Sequence, residues 1–361
     1  MKIAFVGDIA FFGRNDITKN PAIKDYLRDI AGFLKGFDLV VGNLETPFAL
    51  SHRTYGHKSA HIKAHPANVE IMNYLNIKLV NLANNHIFDY GTEGYDTTIK
   101  LLNKNHISYF GVEDKTHIVE KENTKLAFHG YCCYSSNPLG VYKGKGKGVN
   151  PLNIKTVREN LLRNHEKGYF NIVSFHGGQE HINYPNYDHI LMARQFASVC
   201  PYFLYGHHPH VLQGIEDVNG SLVAYSLGNL LFDDVYTSKS TKPLIKQSEK
   251  NKQSVVLSVE FSQNNIKNYC LSGIFADEKK YEVNISEIAG LVQDYSEWLN
   301  ISPETYKKDR EKLWNEYLLS RKQNRDSSWY LKRANLNSLL MILQARKNYK
   351  QYKLNVLKYL K

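Results

Sequence analysis

Eight short runs rich in β-branched and aromatic residues, at 2–6, 39–42, 79–82, 125–131, 170–175, 202–205, 221–226 and 254–262, dominate the first three quarters of this chain. Stretches with helical spacing separate several of them, among them 68–75, 94–103 and 154–164. Strand-like runs that alternate with helical ones specify an α/β sheet protein. Most of the runs end directly in a cluster of polar residues, and the carboxyl ends of strands are where open α/β sheets bind ligands. Clusters delivered by five different strands therefore predict one shared pocket.

With 361 residues, 42% of them apolar, the chain can bury a large core, as one big domain or two ordinary ones. No run approaches the roughly 18 uncharged apolar residues of a membrane span, and residues 1–9 read as a strand rather than a signal peptide. The four cysteines, Cys132, Cys133, Cys200 and Cys270, have no CxxC spacing and are too few to staple such a chain. They read as reduced fillers in a cytoplasmic protein. From Tyr306 onward, 15 Lys/Arg face 4 Asp/Glu, an excess of 15 − 4 = 11 that equals the whole formal charge of +11. A basic, tyrosine-rich tail suits a solvated helical face, or a polyanion such as nucleic acid, an acidic polymer or anionic lipid at a membrane periphery. The segment 143–148 alternates Lys and Gly without the GKS/T ending of a phosphate loop, and reads as a plain loop. Beyond residue 283 the spacing becomes helical, with Ser302-Pro303-Glu304 as a helix start and Trp329, Tyr330 and the stripe 339–343 as core contacts.

Five clusters carry chemistry. Gly7-Asp8 ends the first run, and Gly42-Asn43-Leu44-Glu45-Thr46 ends the second; either alone would pass for a cap or turn. The run from Leu82 to Gly91 places Asn84, Asn85, His86 and Asp89 directly after a strand, too many functional groups for a turn to require. His176 stands among bare glycines at Gly177 and Gly178, followed by Glu180 and His181. Gly206-His207-His208-Pro209-His210 puts three imidazoles in four residues, with Pro209 stiffening the turn. A metal explains this last cluster economically, and imidazole with carboxylate or amide oxygen suits Zn, Mn, Fe or Ni better than Ca.

Taken in order, Asp8, Asn43/Glu45, Asn85-His86, His176 and His208-Pro209-His210 resemble the motif set of the calcineurin-like phosphoesterase superfamily. The runs 84–91, 206–211 with Gln213, and 225–233 are similar to one branch, the capsule-synthesis CapA (PGA_cap, poly-γ-glutamate capsule) family, over about residues 1–235. That resemblance implies a four-layer α/β/β/α metallophosphoesterase-like sandwich, expected over 1–280, and the helical spacing and charge of the remainder predict a basic helical extension over 281–361. It implies two divalent ions, Mn, Zn or Fe, held by Asp8, Glu45, Asn85, His176, His208 and His210, with Glu45 as the bridge. It further implies His86, with Asp89 beside it, as the general acid to a two-metal-activated water. His207 falls outside the ligand spacing. Arg14, Asn43, Asn84, Glu180 and Asn229 are expected to orient ligands or grip substrate, and Arg53, Lys58 and Lys63 to neutralise its charge. Two departures stand out: Ile9 and Ala10 follow Asp8 where the enzymes carry Asp-x-His, and Asn43-Leu44-Glu45 replaces Gly-Asp-x-x-Asp. One ligand is thus missing.

The expected function is a metal-dependent phosphoester hydrolase in capsule or surface-polymer biosynthesis, with a phosphoester or anionic polymer as substrate and capsule-synthesis proteins as partners. The alternative is a non-catalytic assembly factor that binds an anionic polymer in a metal-containing cleft. A nuclease is disfavoured, because no interleaved basic and aromatic motif of known type is present.

Overall fold

The computed structural model describes residues 1–236, 242–323 and 334–360. Strand β1 (Lys2–Ile9) shows how the layers arise: Ile3 and Phe5 point to one apolar cluster, Ala4 and Val6 to another, and both faces are buried. A strand buried on both faces must sit inside a covered sheet. Parallel strands β2 (Leu39–Leu44), β3 (Ile77–Asn81) and β4 (Ser108–Phe110) extend the sheet on one side. On the other side run the antiparallel β12 (Gln253–Ser262), β13 (Asn265–Ala276) and β14 (Tyr281–Val283), while β11 (Asn229–Leu231) joins the carboxyl end of β1.

The second sheet runs in the order β5 (His117–Lys121), β6 (Thr124–Cys132), β7 (Phe170–His176), β8 (Tyr202–His207), β10 (Ser221–Ala224) and β9 (Ile215–Val218). Between the sheets lies an aromatic core in which the Phe5 ring meets Phe203 at 4.7 Å and Tyr205 at 4.9 Å. Each such pair contributes about 0.5–1.5 kcal/mol beyond the area it buries. Helices α1 (Ile23–Tyr26), α2 (Arg28–Leu34), α3 (Val69–Tyr74) and α4 (Gly91–Lys104) cover the outer face of the first sheet through Ile23, Ile30, Leu34, Ile71 and Leu102. Helices α5 (Ile154–Glu166) and α6 (Tyr187–Ala197) cover the second through Val157, Leu161, Ile190 and Phe196. The order is helix, sheet, sheet, helix, and the four-layer sandwich expected from the sequence is what the chain adopts.

A one-turn helix, α7 (Glu249–Lys252), leads into β12. Residues 281–283 form β14 of the first sheet, and α8 (Ser286–Glu297) then lays Ile288, Val292 and Tyr295 against the inter-sheet core. Helix α9 (Pro303–Gln323) starts at the expected place, with the Ser302 hydroxyl accepting from the Thr305 amide. It buries Tyr306, and α10 (Leu336–Asn355) buries Tyr352, both in the core beneath α5 and α6. One expectation fails here. The stripe at 339–343 is not a core contact: Leu339, Ile342 and Leu343 are 54%, 52% and 49% exposed. Helix α10 docks through Asn348 and Tyr352 in its second half, leaving its apolar first half at the surface. Trp329 and Tyr330 lie outside the described residues.

Candidate metal centre

Strand register brings the first clusters together. Asp8 pairs in one row with Asn43 of β2 on one side and with Asn229 of β11 on the other, while His176 of β7 pairs with His207 of β8 in the second sheet. The carboxyl ends of the parallel strands in both sheets thus open on the same place. Two glycines permit the close approach: a Cβ on Gly7 would lie 1.9 Å from the Gly228 oxygen, and one on Gly206 would lie 1.9 Å from the Tyr225 oxygen.

Asn43 donates from Nδ2 to Asp8 Oδ1 at 2.7 Å and accepts at Oδ1 from Asn81 Nδ2 at 3.0 Å, so its amide is locked and aims the carboxylate. The other Asp8 oxygen accepts the backbone N–H of His208 at 3.1 Å and lies 3.4 Å from His210 Nδ1. Asn85 Oδ1 and His176 Nε2 are 2.8 Å apart. His210 Nδ1 lies 2.9 Å from Asn229 Oδ1; donation to that amide oxygen leaves the Nε2 lone pair facing Glu45 Oε1 at 3.8 Å. Glu45, His208 and His210 each offer a ligand atom, and these three atoms lie within 4.8 Å of one another. All six expected ligand residues are buried and gathered at one point.

The electrostatics of this cluster suit a cation. Both Glu45 oxygens are buried without a hydrogen-bond partner among the described residues, as are His208 Nδ1 and both ring nitrogens of His207. Burial first, and then the neighbouring Asp8 charge, raise the Glu45 carboxyl well above its ordinary range. Burial pushes the imidazoles of His207 and His208 down to about 4, and that of His176 well down, so all are neutral at pH 7 with lone pairs to give. An orphaned buried carboxylate costs several kcal/mol unless a positive charge compensates it. The donor set of carboxylate, amide and imidazole fits a divalent transition metal. His208 and His210 also hold positive backbone φ angles of 94° and 57°, a conformation that non-glycine residues keep only where the surroundings enforce it.

Beside this cluster, His86 Nε2 lies 3.9 Å from Glu45 Oε1, and His86 Nδ1 lies 2.6 Å from Asp89 Oδ2. Asn84 builds the turn that presents them: its Oδ1 accepts the amides of His86 at 3.0 Å and Ile87 at 2.9 Å, and its Nδ2 donates to the Leu44 oxygen at 2.8 Å. Lys58, assigned from sequence only a general charge, tucks its side chain in here, 7% exposed. Its ammonium donates to Asp89 Oδ1 at 2.9 Å and to the Asn85 oxygen at 2.7 Å. Burial would push the Asp89 carboxyl up, but the Lys58 and His86 charges outweigh it and hold Asp89 below the carboxylate range.

The remaining expected residues divide. Asn229 touches His210 directly, and Glu180 Oε2 lies 3.9 Å from His181 Nε2 at the rim. Arg14 turns elsewhere: its guanidinium donates to the oxygens of Asp277 at 2.9 Å and Ala276 at 3.3 Å, and its amide donates to Asp233. His207, outside the ligand spacing, is fully buried with Nδ1 3.7 Å from Asp8 Oδ1. Sequence reasoning named His181 only as the end of the fourth cluster, without a role, and missed Asn81 and Asn251. Asn251 Nδ2 donates to His181 Nδ1 at 2.9 Å and to the His210 oxygen at 2.8 Å, and nothing in the run 249–252 announces it.

Fold and site together define a four-layer α/β/β/α protein that gathers histidine, carboxylate and amide side chains at the strand ends of its two sheets. Residues 2–234 match the family described as bacterial capsule synthesis protein PGA_cap, and the chain belongs to that family. The "PGA biosynthesis protein CapA" of Bacillus subtilis (strain 168) is 27% identical over 256 residues, 68% of this chain and 67% of that protein. The "Capsule biosynthesis protein CapA" of Bacillus anthracis is 26% identical over 274 residues, 72% of this chain and 66% of that protein. This chain thus spans about two thirds of the length of these relatives. Among solved structures, Haemophilus influenzae NAD nucleotidase overlaps at TM-score 0.41 and 15% identity, covering 87% of this chain and 60% of its own. Thermus thermophilus sulfate thiohydrolase SoxB overlaps at 0.43 and 12%, covering 76% and 46%. Overlaps this loose carry no functional argument.

Proposed function

We propose that this protein is a metal-dependent phosphoester hydrolase of the CapA type, acting in capsule or surface-polymer biosynthesis. The observation that carries the reading is the Glu45 carboxylate, without a hydrogen-bond partner among the described residues, buried among His208 and His210 with His86 Nε2 at 3.9 Å. Asp8, Glu45, Asn85, His176, His208 and His210 would hold up to two divalent ions, with Mn, Zn and Fe as candidates. Such ions, when bound, supply Lewis-acid polarisation of a phosphoryl oxygen and activation of a water at neutral pH. The chain's own residues do the rest. His86 holds the proton for the leaving oxygen at Nε2, and Asp89 receives the Nδ1 hydrogen and stabilises the charged ring. Asn84 fixes the backbone that carries His86, and Asn43 and Asn229 fix Asp8 and His210.

A second reading, an assembly factor that binds an anionic polymer, draws support from Ile9 and Ala10, which stand where the enzymes of the superfamily carry a further ligand histidine. No described helix is long and apolar enough to cross a membrane, and the basic tail is the feature that suits docking at a membrane periphery or on capsule-synthesis partners. Elemental analysis of the purified protein, beside His86→Ala and His208→Ala and with Mn-supplemented hydrolysis of an aryl phosphodiester, separates the two. Transition metal lost in the His208 variant, with hydrolysis lost in the His86 variant, supports the hydrolase. Bound metal without hydrolysis supports the assembly factor.

A further inference from the structure

Helix α9 lies beyond residues 2–234, which carry the family match, yet it reaches the rim of the candidate centre. Arg310 fastens it there. The Arg310 guanidinium donates from Nε to the Pro185 oxygen at 2.8 Å and from Nη2 to Gln179 Oε1 at 2.5 Å, and it also reaches Asn186 Oδ1. The Tyr306 hydroxyl donates to the same Pro185 oxygen at 2.8 Å. These bonds tie α9 to the loop after β7, which carries Glu180 and His181. Two turns beyond Arg310, the Tyr317 ring lies 5.5 Å from the His181 ring, which in turn lies 6.3 Å from that of His210. Arg321 follows at the spacing of four that shares a helix face. Its Nη1 donates to the Tyr317 hydroxyl at 3.1 Å, and its guanidinium carbon lies 5.7 Å from that ring's centroid.

Arg321 differs from Arg14 and Arg194, and from Arg310, whose guanidinium is taken up by the Pro185, Gln179 and Asn186 oxygens. Arg14 has Asp233 within 3.9 Å and Arg194 has Glu216 at 2.7 Å, whereas no carboxylate of the described residues pairs with Arg321. A guanidinium oriented by a phenol, with no acid paired to it among the described residues, presents a fork that suits an oxyanion.

We propose that Tyr317 and Arg321 form an anion subsite at the edge of the metal centre, taking a carboxylate or phosphate group that flanks the part of the ligand held by the metal cluster. The ligand is then multiply charged, and a helix outside the family-matched region sets its class. This rests on the preceding reading only in that a ligand enters the cleft at all.

Isothermal titration of the full-length, Mn-loaded protein with triglutamate and, separately, with ADP tests it. Arg321→Gln weakens at least one of the two about tenfold, the usual worth of a charge-assisted pair, and the probe that responds identifies the anion. Tyr317→Phe, which removes only the hydroxyl that orients Arg321, weakens the same probe severalfold. Lys322→Gln, an equal charge change on the exposed neighbour, leaves it unchanged. The proposal is overturned if neither probe binds the wild type below about 1 mM. It is equally overturned if Arg321→Gln binds both as the wild type does, or if Lys322→Gln weakens them as much as Arg321→Gln. Aryl phosphodiester hydrolysis is scored apart: its absence alongside Arg321-dependent binding refutes the hydrolase and leaves the subsite standing.

Discussion

Lys58 Nζ sits 2.9 Å from His86 Nδ1, although 28 residues separate them and both bear on the same carboxylate, Asp89. The ammonium and the imidazole compete for one set of oxygens. Burial first, and then the Lys58 charge, hold the His86 imidazole below its usual value against the opposing pull of Asp89.

That relationship predicts the effect of Lys58→Met. A general acid must be protonated, so activity falls as pH rises through its pKa. Removing a positive charge favours the protonated ring, and the descending limb of the profile moves to higher pH. The variant also loses about 3 kcal/mol of stability, because Asp89 keeps its buried charge and loses a partner. An aryl phosphodiester pH profile checks the shift; a limb that stays put, or moves to lower pH, removes Lys58 from the proton chemistry.

Glu45→Gln is expected to uncouple metal binding from stability. The Glu45 oxygens have no hydrogen-bond partner among the described residues and burial already favours the protonated acid, so the metal-free protein loses little when the carboxyl becomes an amide. In EDTA the variant should melt close to the wild type. Added Mn should raise the wild-type Tm by several degrees, as a ligand bound only by the folded state does, and leave the variant nearly unmoved. A metal-free variant that melts well below the wild type would show that Glu45 is held by something other than a cation.

The legible part of the site followed strand ends. Asp8, Asn43, His176 and His207 each stand at or near the end of a strand with a strong apolar signal, so the apolar run itself located them in the sequence. What escaped lay on weak elements. Strand β13 pairs with β12 over ten positions, yet its outer residues are polar and exposed, and the turn before it uses Gln263 and Asn264 at φ 49° and 59° where glycine would have been a signal. Asn251 sits in a single polar turn, and Lys58 in a loop of similar polar residues, so neither differs locally from a solvated residue. Tyr317 and Arg321 come to the site through tertiary packing of α9, which no local pattern encodes. The stripe at 339–343 misled for the converse reason: apolar residues on a helix predict burial only where another element is there to cover them.

Gly7→Ala is predicted to damage the site from beneath. The added Cβ would meet the Gly228 backbone oxygen at 1.9 Å, and backbone on both sides leaves no flexible side chain to give way. Strands β1 and β11 must part just where the Asp8 amide donates to Gly228 at 3.1 Å. A loss of roughly 1–3 kcal/mol is expected from overpacking, with weaker metal binding because Asp8 moves. Thermal melts with and without Mn measure both; native stability with full metal response would contradict the close strand approach.

Away from the centre, His129 gives a prediction on acid stability. It is buried on β6, where Asn164 Nδ2 donates to its Nε2 at 2.7 Å and Thr116 Oγ1 lies 3.2 Å from its Nδ1. Burial lowers its pKa in the folded protein from 6.5 to about 4, with Asn171 opposing and Arg163 adding to the fall. As pH drops below about 6.5 the unfolded chain takes up the proton first, so it binds more protons than the folded one and stability falls with pH. The contribution is complete above about 6.5, is lost progressively between 6.5 and 4, and amounts to on the order of 3 kcal/mol. His129→Gln costs about 1–2 kcal/mol at pH 7.5 through imperfect packing. It removes this titration, so the gap to the wild type should narrow or reverse by pH 4.5. Urea denaturation at pH 7.5, 6.5, 5.5 and 4.5 in EDTA reads the difference directly. The other buried histidines titrate alike in both proteins, so parallel stability curves would mean that His129 carries no acid lability.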